Sequence, residues 1–437
     1  MKITVLAIGS RGDVVPHIAL SQGLIAAGHT VSLVTHLAFE DMARCYRIPF
    51  FALDDEPKEF FKAEGGDELL NQGTHPSRFA ELLAQRIAMA TALYMQRAQQ
   101  PCQEANLIIA AFPCFLVGHA LAEKYQKRLV MTMLQPMMLS TTAFPEPTDI
   151  WLPRKPLLLA QALNRRSHST TQQAFGQMFL PSANAARQSL LDLAPLPPTF
   201  YTNLPDMAEL ILCGYSPLLI TRPADWNARI RITGSWIPGP LEGWQPENEL
   251  VEFLQAGPAP IYIGFGSASS YQPVATVEMV AEALAQIGQR AILLVDPDAY
   301  RTHKLSDTLY LTTGTAHDWL FPQMQAIVYH GGAGTTAASL RAGVPALVVP
   351  FIAEQKFWGT QVARIGVGPR PISRMQLTAP RLARALQTLL HNSAMRRRAR
   401  EIAAHLRYEQ GVAQAIQAIN TLERPEPAAS FSNRQAR

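Results

Sequence analysis

One stretch constrains this chain more than any other: Ala326–Pro350, AIVYHGGAGTTAASLRAGVPALVVP. Ala326–Tyr329 is a short apolar run of buried-strand type. A glycine-rich turn follows, His330-Gly331-Gly332-Ala333-Gly334-Thr335-Thr336, and then a helical pattern. Missing side chains in such a turn let an anion approach the backbone. The amides opening the next helix point at that anion, and the helix dipole adds partial positive charge there. The expected ligand is a diphosphate, with His330 on the rim and the Thr335 and Thr336 hydroxyls as further donors. The turn lacks the Lys-Ser/Thr ending of a P-loop and is not GxGxxG.

The rest of the chain is organised around similar units. Ile3–Ile8 is an apolar run of strand type, Val14–Ala27 is helical in pattern and ends at Gly28, and Thr30–Thr35 is a second strand. This β-loop-α-β start predicts a doubly wound parallel sheet. Leu107–Ala111 and Leu129–Thr132 continue it. Pro145–Pro156 reads as a loop, Gln161–Asp192 as polar helix and Pro195–Pro205 as an irregular link. Strands resume at Leu210–Cys213 and Ile230–Thr233. After a proline-rich break, Ile261–Gly264, Ala291–Leu294, Leu309–Thr312, Ala326–Tyr329 and Ala346–Val349 alternate with helical patterns. The expected domains are 1–238 and 239–405, each Rossmann-like. A helix within 406–423 is expected to pack back on the first domain, and a disordered tail over 424–437. Ligands of open α/β sheets bind outside the strands' carboxyl ends. Two such domains facing each other would line one cleft with the loops at Gly9–Asp13 and His330.

A length of 437 residues leaves material for two cores. With 48% hydrophobic and 16% charged residues and a net charge of +4, the chain is globular and only mildly basic. Nucleic-acid binding would need a stronger basic face with interleaved aromatics. The cluster Arg396, Arg397, Arg398 and Arg400 is read as a solvated helix face, with a membrane-surface patch as the alternative. Cys45, Cys102, Cys114 and Cys213 lack metal spacing and read as buried thiols of a reducing cytosol. No run reaches 18 apolar residues, so a cytoplasmic protein is expected, with peripheral contact to the inner membrane face as an option.

HGGAGTT, followed by GVPALVVPF and by Glu354-Gln355-Lys356-Phe357-Trp358-Gly359, resembles the donor-binding half of the GT-B nucleotide-sugar glycosyltransferases, the UDP-glycosyltransferase family (family 1). Within it the chain is most similar to the sterol glucosyltransferase-like and glycopeptide glucosyltransferase-like branches. Ile8-Gly9-Ser10-Arg11-Gly12-Asp13-Val14 with Pro16 resembles their opening loop. Tyr215-Ser216-Pro217, Arg222-Pro223, Asp225-Trp226 and Thr233-Gly234 resemble the end of their N-terminal domain, and Ile263-Gly264-Phe265-Gly266-Ser267 the start of their C-terminal one. The likeness covers roughly residues 1–60 and 210–390 and is weaker between.

The resemblance implies an inverting, metal-independent transferase. It would move a hexose, glucose before others, from UDP (dTDP remaining open) to a hydroxyl of a lipophilic small molecule of sterol, terpenoid, carotenoid or polyketide type. No cofactor beyond the nucleotide-sugar co-substrate is implied, and no metal-binding DxD pair stands out; Asp54-Asp55 follows a different strand. On the donor side His330 would hydrogen-bond a diphosphate oxygen, with Gly332, Gly334, Thr335 and Thr336 holding the rest and Ser267 nearby. Ser10, Arg11 and Gly12 shape the first loop, where Arg11 faces a phosphate or pairs with an acid. Glu354 and Gln355 would grip sugar hydroxyls, and His317 and Trp319 align with the base-recognition stretch, Trp319 equally suiting the core.

The transfer also needs a group to take the acceptor's hydroxyl proton. Many relatives carry Gly-His in the first loop; here the pair is Gly12-Asp13, as in the sterol and glycopeptide branches. Asp13 is therefore the candidate base, and burial would raise its pKa to suit. Alternatively it caps a helix beginning near Val14. His17, one turn on, could accept the proton or orient Asp13. Acceptor choice would lie in the middle region, whose apolar and soft residues include Phe112, Met133, Met137 and Phe144. Two rival readings are an epimerase on the same scaffold and a non-catalytic partner of a glycosyltransferase.

Overall fold

The computed structural model describes residues 1–53, 89–148, 157–239, 243–266, 272–296 and 298–423. Asp54-Asp55, Trp151, Ser267 and the tail from Arg424 lie outside the described residues, as does the end of the Pro145–Pro156 segment. The chain divides into two compact units. The first holds Met1–Pro217, Thr221–Leu241 and the segment from Gln410; the second holds Leu218–Ile220 and Glu242–Glu409.

The first unit is built on seven parallel strands: β1 (Lys2–Leu6), β2 (Thr30–Thr35), β3 (Phe50–Ala52), β4 (Leu107–Ala111), β5 (Arg128–Met133), β6 (Leu210–Cys213) and β7 (Ile230–Ile232). Their order is β3-β2-β1-β4-β5-β6-β7. The chain winds outward from β1 to β3, then returns to place β4 on the other side of β1. The switch point therefore lies between β1 and β4, whose registers join Ile3 to Leu107 and Leu6 to Ala110. Ile3–Leu6 and Leu107–Ala111 are buried throughout. Helices covering both faces of a parallel sheet demand such continuous apolar runs.

The second unit carries β8 (Ile261–Gly264), β9 (Ala291–Leu294), β10 (His303–Lys304), β11 (Leu309–Thr312), β12 (Ala326–Tyr329) and β13 (Ala346–Val348). Their order is β10-β11-β9-β8-β12-β13, with only β10 antiparallel. Here the switch point falls between β8 and β12.

Six helices matter below: α1 (Arg11–Ala26), α2 (Leu157–Leu191), α3 (Ala333–Ala342), α4 (Ala353–Arg364), α5 (Ser393–Leu406) and α6 (Gly411–Asn420). The last begins at Gly411, and the preceding α5 runs on to Leu406. In α2, Arg187 is only 1% exposed, and it donates to Glu123 Oε2 at 2.9 Å and to the Ala194 carbonyl. A buried cation so paired fixes α2 against the helix Phe115–Tyr125. Three cysteines are buried, and burial pushes the Cys114 thiol up to about 12. The fourth corrects the sequence reading: Cys45 ends a short surface helix and is exposed.

The terminal helix α6 packs on α1. Its Ala415, Ala418 and Ile419 join the core formed by Val14, Ile18 and Leu24. Gly23 makes this approach possible, because a Cβ there would run into Val412 Cγ1 and sit 3.0 Å from Ile416 Cδ1. Gly23→Leu should therefore lose about 1–3 kcal/mol by overpacking. Urea denaturation would show this as a lower midpoint, and an unchanged midpoint would mean that α6 contributes little to the fold.

Candidate active site

The first half-site lies at the switch point of the first sheet. The loop leaving β1 turns through Gly9, at φ +122°, into Ser10, the N-cap of α1. The helix starts at Arg11. Asp13 is thus not the N-cap of the alternative reading but the third helical residue. Its Oδ2 accepts from the Ser10 amide and the Ser10 hydroxyl, both at 2.8 Å. This reaches back to the cap in the manner of a capping box. A Cβ on Gly9 would stand 2.5 Å from that same oxygen, so only glycine lets the loop close on the carboxylate. Oδ1 has no hydrogen-bond partner among the described residues. Burial raises the Asp13 pKa, and the two Ser10 bonds only partly offset it.

His17 lies one turn further. Its Nδ1 is 2.7 Å from the Asp13 carbonyl, and its Nε2 is 2.7 Å from the Thr132 hydroxyl at the end of β5. A carbonyl only accepts, so Nδ1 carries the proton. Burial then pulls the ring down to about 4 and keeps it neutral, so Nε2 accepts from Thr132. Trp236 meets the ring edge-on at 5.7 Å, held by an Nε1 bond to Thr233. His36 supports the loop from β2, its Nε2 accepting the Gly9 amide at 3.1 Å. Neither Thr132 nor Trp236 stood out in the sequence; their partners lie more than a hundred residues away. Arg11 is exposed, and Gly12 is half-buried beside Ser10.

The candidate acceptor residues fall into two groups. Phe112 follows β4 directly and lies 6.2 Å from Phe175 of α2, while Met133 ends the neighbouring β5. Phe144 sits elsewhere, against His168 and Trp226. Phe144 belongs to segment 134–146, which also includes buried Met137 and is tied down by polar bonds. Glu146 accepts from the Met138 amide and from His168 Nδ1, the latter at 2.8 Å with both side chains fully buried. Asp225 accepts from the Thr141 hydroxyl and from the Thr142 amide and hydroxyl. The buried Glu146–His168 pair is a site feature that composition alone did not reveal.

The second half-site occupies the switch point of the second sheet. The His330 ring, at the end of β12, lies between two glycines. A Cβ on Gly266, in the loop after β8, would be 2.7 Å from its Cε1, and one on Gly332 would be 2.6 Å from its Nε2. Burial pulls His330 down to about 4, with the Gly264 carbonyl opposing, so the imidazole is neutral at physiological pH. Nδ1 has no partner in hydrogen-bond geometry among the described residues.

Gly332 is the N-cap of α3. The Thr336 amide already bonds the Gly332 carbonyl at 2.9 Å. The Thr336 hydroxyl donates to the same carbonyl and accepts from Tyr329. Thr336 therefore builds the loop and has no donor left for a ligand, which corrects the sequence expectation. The amides without intrahelical acceptors are those of the N-cap and the first three helical residues: Gly332, Ala333, Gly334 and Thr335. Ala333 enters the site through its backbone, where its side chain gave no signal.

The Gly331 turn abuts Gln355, since a Cβ on Gly331 would meet the Gln355 carbonyl at 2.6 Å. Helix α4 thus begins beside α3. Gln355 Oε1 accepts the Phe351 amide at 2.8 Å, which leaves its amide nitrogen as donor, and Glu354 is half-buried one residue before. His317 stacks on Phe321 at 4.3 Å and lies 3.4 Å from the Tyr262 hydroxyl. Trp319 is half-buried against Trp244, 5.7 Å away. Trp358 is buried and packs on Phe357.

His17 and His119 in the first unit are neutral because burial pulls them to about 4 and about 3. Unfolded, each titrates near about 6.5. Below that value the unfolded chain holds more protons, so stability is full above it and falls as pH drops toward the folded values. The slope should approach about 2.7 kcal/mol per pH unit for two protons. Urea melts between pH 7 and pH 5 test this, and a flat profile would show that these rings accept protons in the fold.

Residues 3–134 match the glycosyltransferase family 28 N-terminal domain, and residues 278–419 match the erythromycin biosynthesis protein CIII-like C-terminal domain. Over 96% of its length the chain is 32% identical to a sterol 3-beta-glucosyltransferase of Arabidopsis thaliana and covers 65% of that protein. A second sterol 3-beta-glucosyltransferase of the same plant is 31% identical over 98% of this chain and 69% of its own length. One from Aspergillus terreus is 33% identical over 96% of this chain, which spans only 30% of it. Among solved structures, the glycotransferase of kitacinnamycin superposes with a TM-score of 0.66 at 15% identity, over 96% of this chain and 98% of that one. Its likeness shows the fold, which is of the GT-B class. By sequence and by fold, the chain belongs to the sterol glucosyltransferase-like branch of the family 1 glycosyltransferases.

Proposed function

We propose that this protein transfers a hexose, glucose before others, from UDP to the hydroxyl of a lipophilic, sterol-like small molecule, with inversion and without a metal ion. The observation that carries this reading is the second switch point. A neutral imidazole and four unspent backbone amides converge there at a helix N-terminus, the arrangement that receives a diphosphate. Leaving-group charge is then met by His330, the amides of Gly332–Thr335 and the Thr335 hydroxyl. Glu354 and the Gln355 amide nitrogen are suited to sugar hydroxyls, and His317 with Trp319 to the base. The names of the relatives support a sterol-like acceptor.

In the reaction, Asp13 removes the acceptor's hydroxyl proton through its uncommitted Oδ1. The acceptor oxygen bonds to the anomeric carbon from the face opposite the diphosphate, the carbon–oxygen bond to phosphate breaks, and UDP leaves. A raised pKa makes Asp13 a better base than an ordinary carboxylate. His17 acts through Asp13: its single lone pair is taken by Thr132, so it orients the first turn of α1 rather than receiving the proton.

Asp13→Asn keeps an oxygen for the Ser10 amide and so should fold normally. It should bind UDP-glucose as the native protein does and lose about 100-fold or more in transfer. Native activity should fall with acid as Asp13 takes up its proton, at a pH above the ordinary range of aspartate. Turnover unchanged in Asp13→Asn would reduce Asp13 to a cap. In Gly332→Ala the new methyl group meets His330 Nε2, so UDP-glucose affinity, read by calorimetry with and without EDTA, should drop about tenfold or more. Equal affinity in that variant would place the diphosphate elsewhere.

A further inference from the structure

The second unit holds a concavity of about 570 Å³ far from the glycine loop in the fold. Its wall includes Ala259, Gln325 and Pro345, which lead into the amino ends of β8, β12 and β13. The diphosphate seat lies at the carboxyl ends of the same strands, so the two are at opposite edges of the sheet. Another wall is α5, which presents Arg396, Arg400, Ala403 and, just past its end, Arg407. Spacings of four, three and four residues set these on one helical face.

No carboxylate lines this concavity. Two arginines of the region have evident structural duties. Arg341 donates to the Leu406 carbonyl, and Arg396 to the Leu390 carbonyl, each at a helix end. Arg400 and Arg407 have neither an ion pair nor a side-chain hydrogen bond among the described residues. Like charges a turn apart repel, and Pro322, Val344 and Pro345 line the same concavity. A bound anion would reverse the sign of this interaction. Guanidinium groups in one concavity suit the several oxygens of a phosphate group, which accept paired N–H donors. Tyr408, 87% exposed beside Arg407, places an aromatic ring at the rim.

We propose that this arginine-lined concavity is a second anion site, independent of the diphosphate seat, that takes a phosphate group. The phosphate could belong to a lipid headgroup or be free in solution; the chemistry of recognition is the same, and the proposal does not depend on the transferase reading.

The full chain would be sedimented with vesicles of phosphatidylcholine, alone or mixed with phosphatidic acid, and titrated calorimetrically with inorganic phosphate. The site predicts binding to at least one phosphate probe. That binding should be weakened about tenfold or more in Arg400→Ser/Arg407→Ser, by added salt as well, and kept in His330→Ala. Sedimentation only with phosphatidic acid assigns the site to a lipid headgroup. Binding of inorganic phosphate without sedimentation assigns it to a soluble ligand. The proposal is overturned if neither probe binds, if the double variant binds as the native chain does, or if His330→Ala abolishes binding. Both arginines are exposed, so the double variant should keep the native thermal midpoint, which is measured alongside.

Discussion

A single imidazole needs room at the end of β12, and the backbone makes that room by omitting two side chains. Gly266 and Gly332 come from loops after β8 and β12, the strands flanking the second sheet's switch point. Their missing Cβ atoms let both loops close on His330, which becomes half-buried and neutral. Once His330 is fixed, the N-cap of α3 is fixed next to it, and the Gly331 turn sets α4 against α3. The first unit repeats the device with different chemistry. Gly9 closes on Asp13 Oδ2, and Asp13 in turn holds the start of α1. In each unit a loop leaves a strand at the point where the winding reverses, and the functional side chain occupies space that a larger residue would take.

Burial moves the titrating groups of both half-sites toward neutrality: Asp13 upward, His17 and His330 downward. These shifts oppose one another in their effect on stability. The histidines favour the fold above their unfolded pKa, whereas a raised carboxylate costs stability wherever it is ionised. In its ionised form Asp13 thus carries a folding cost that a capping role alone would not require, since a cap gains from an ordinary ionised carboxylate. The Ser10 bonds reduce that cost without removing it. Such a retained cost is what a carboxylate poised as a base would show.

The strands were legible in the sequence, several of them to the residue, because parallel strands buried on both faces must be continuous apolar runs. Leu107–Ala111 and Ala326–Tyr329 have no other reading consistent with their neighbours. The short edge strands Phe50–Ala52 and His303–Lys304 were missed, since two or three residues carry no period. Residue types also located the loops correctly while leaving hydrogen-bond ownership open. Asp13, which as a cap would have begun α1, instead supports a helix begun by Ser10. Thr336 was expected to face a ligand, yet the Gly332 carbonyl and Tyr329 claim its hydroxyl. The choice depends on where the first helical turn starts, a shift of one to three residues that propensity does not resolve. Thr132 and Trp236 were invisible because their meaning lies in contacts with His17 across the sheet.

This difference also bears on what kinship can convey. The proposed diphosphate seat is made of amides, one imidazole and glycine gaps, so a sequence that keeps the loop can keep it. The acceptor side has no such economy. Phe112 packs on α2, Phe144 packs near Trp226, and segment 134–146 is pinned through Glu146, His168 and Asp225. Each of these is a side chain held by a partner far along the chain. A change at one of them alters shape without disturbing the sheet or the seat. A substitution in the candidate acceptor region can therefore change its shape while leaving the proposed seat intact. For this reason the candidate donor residues were legible from a motif, whereas the candidate acceptor residues became separable into groups only once their partners were seen.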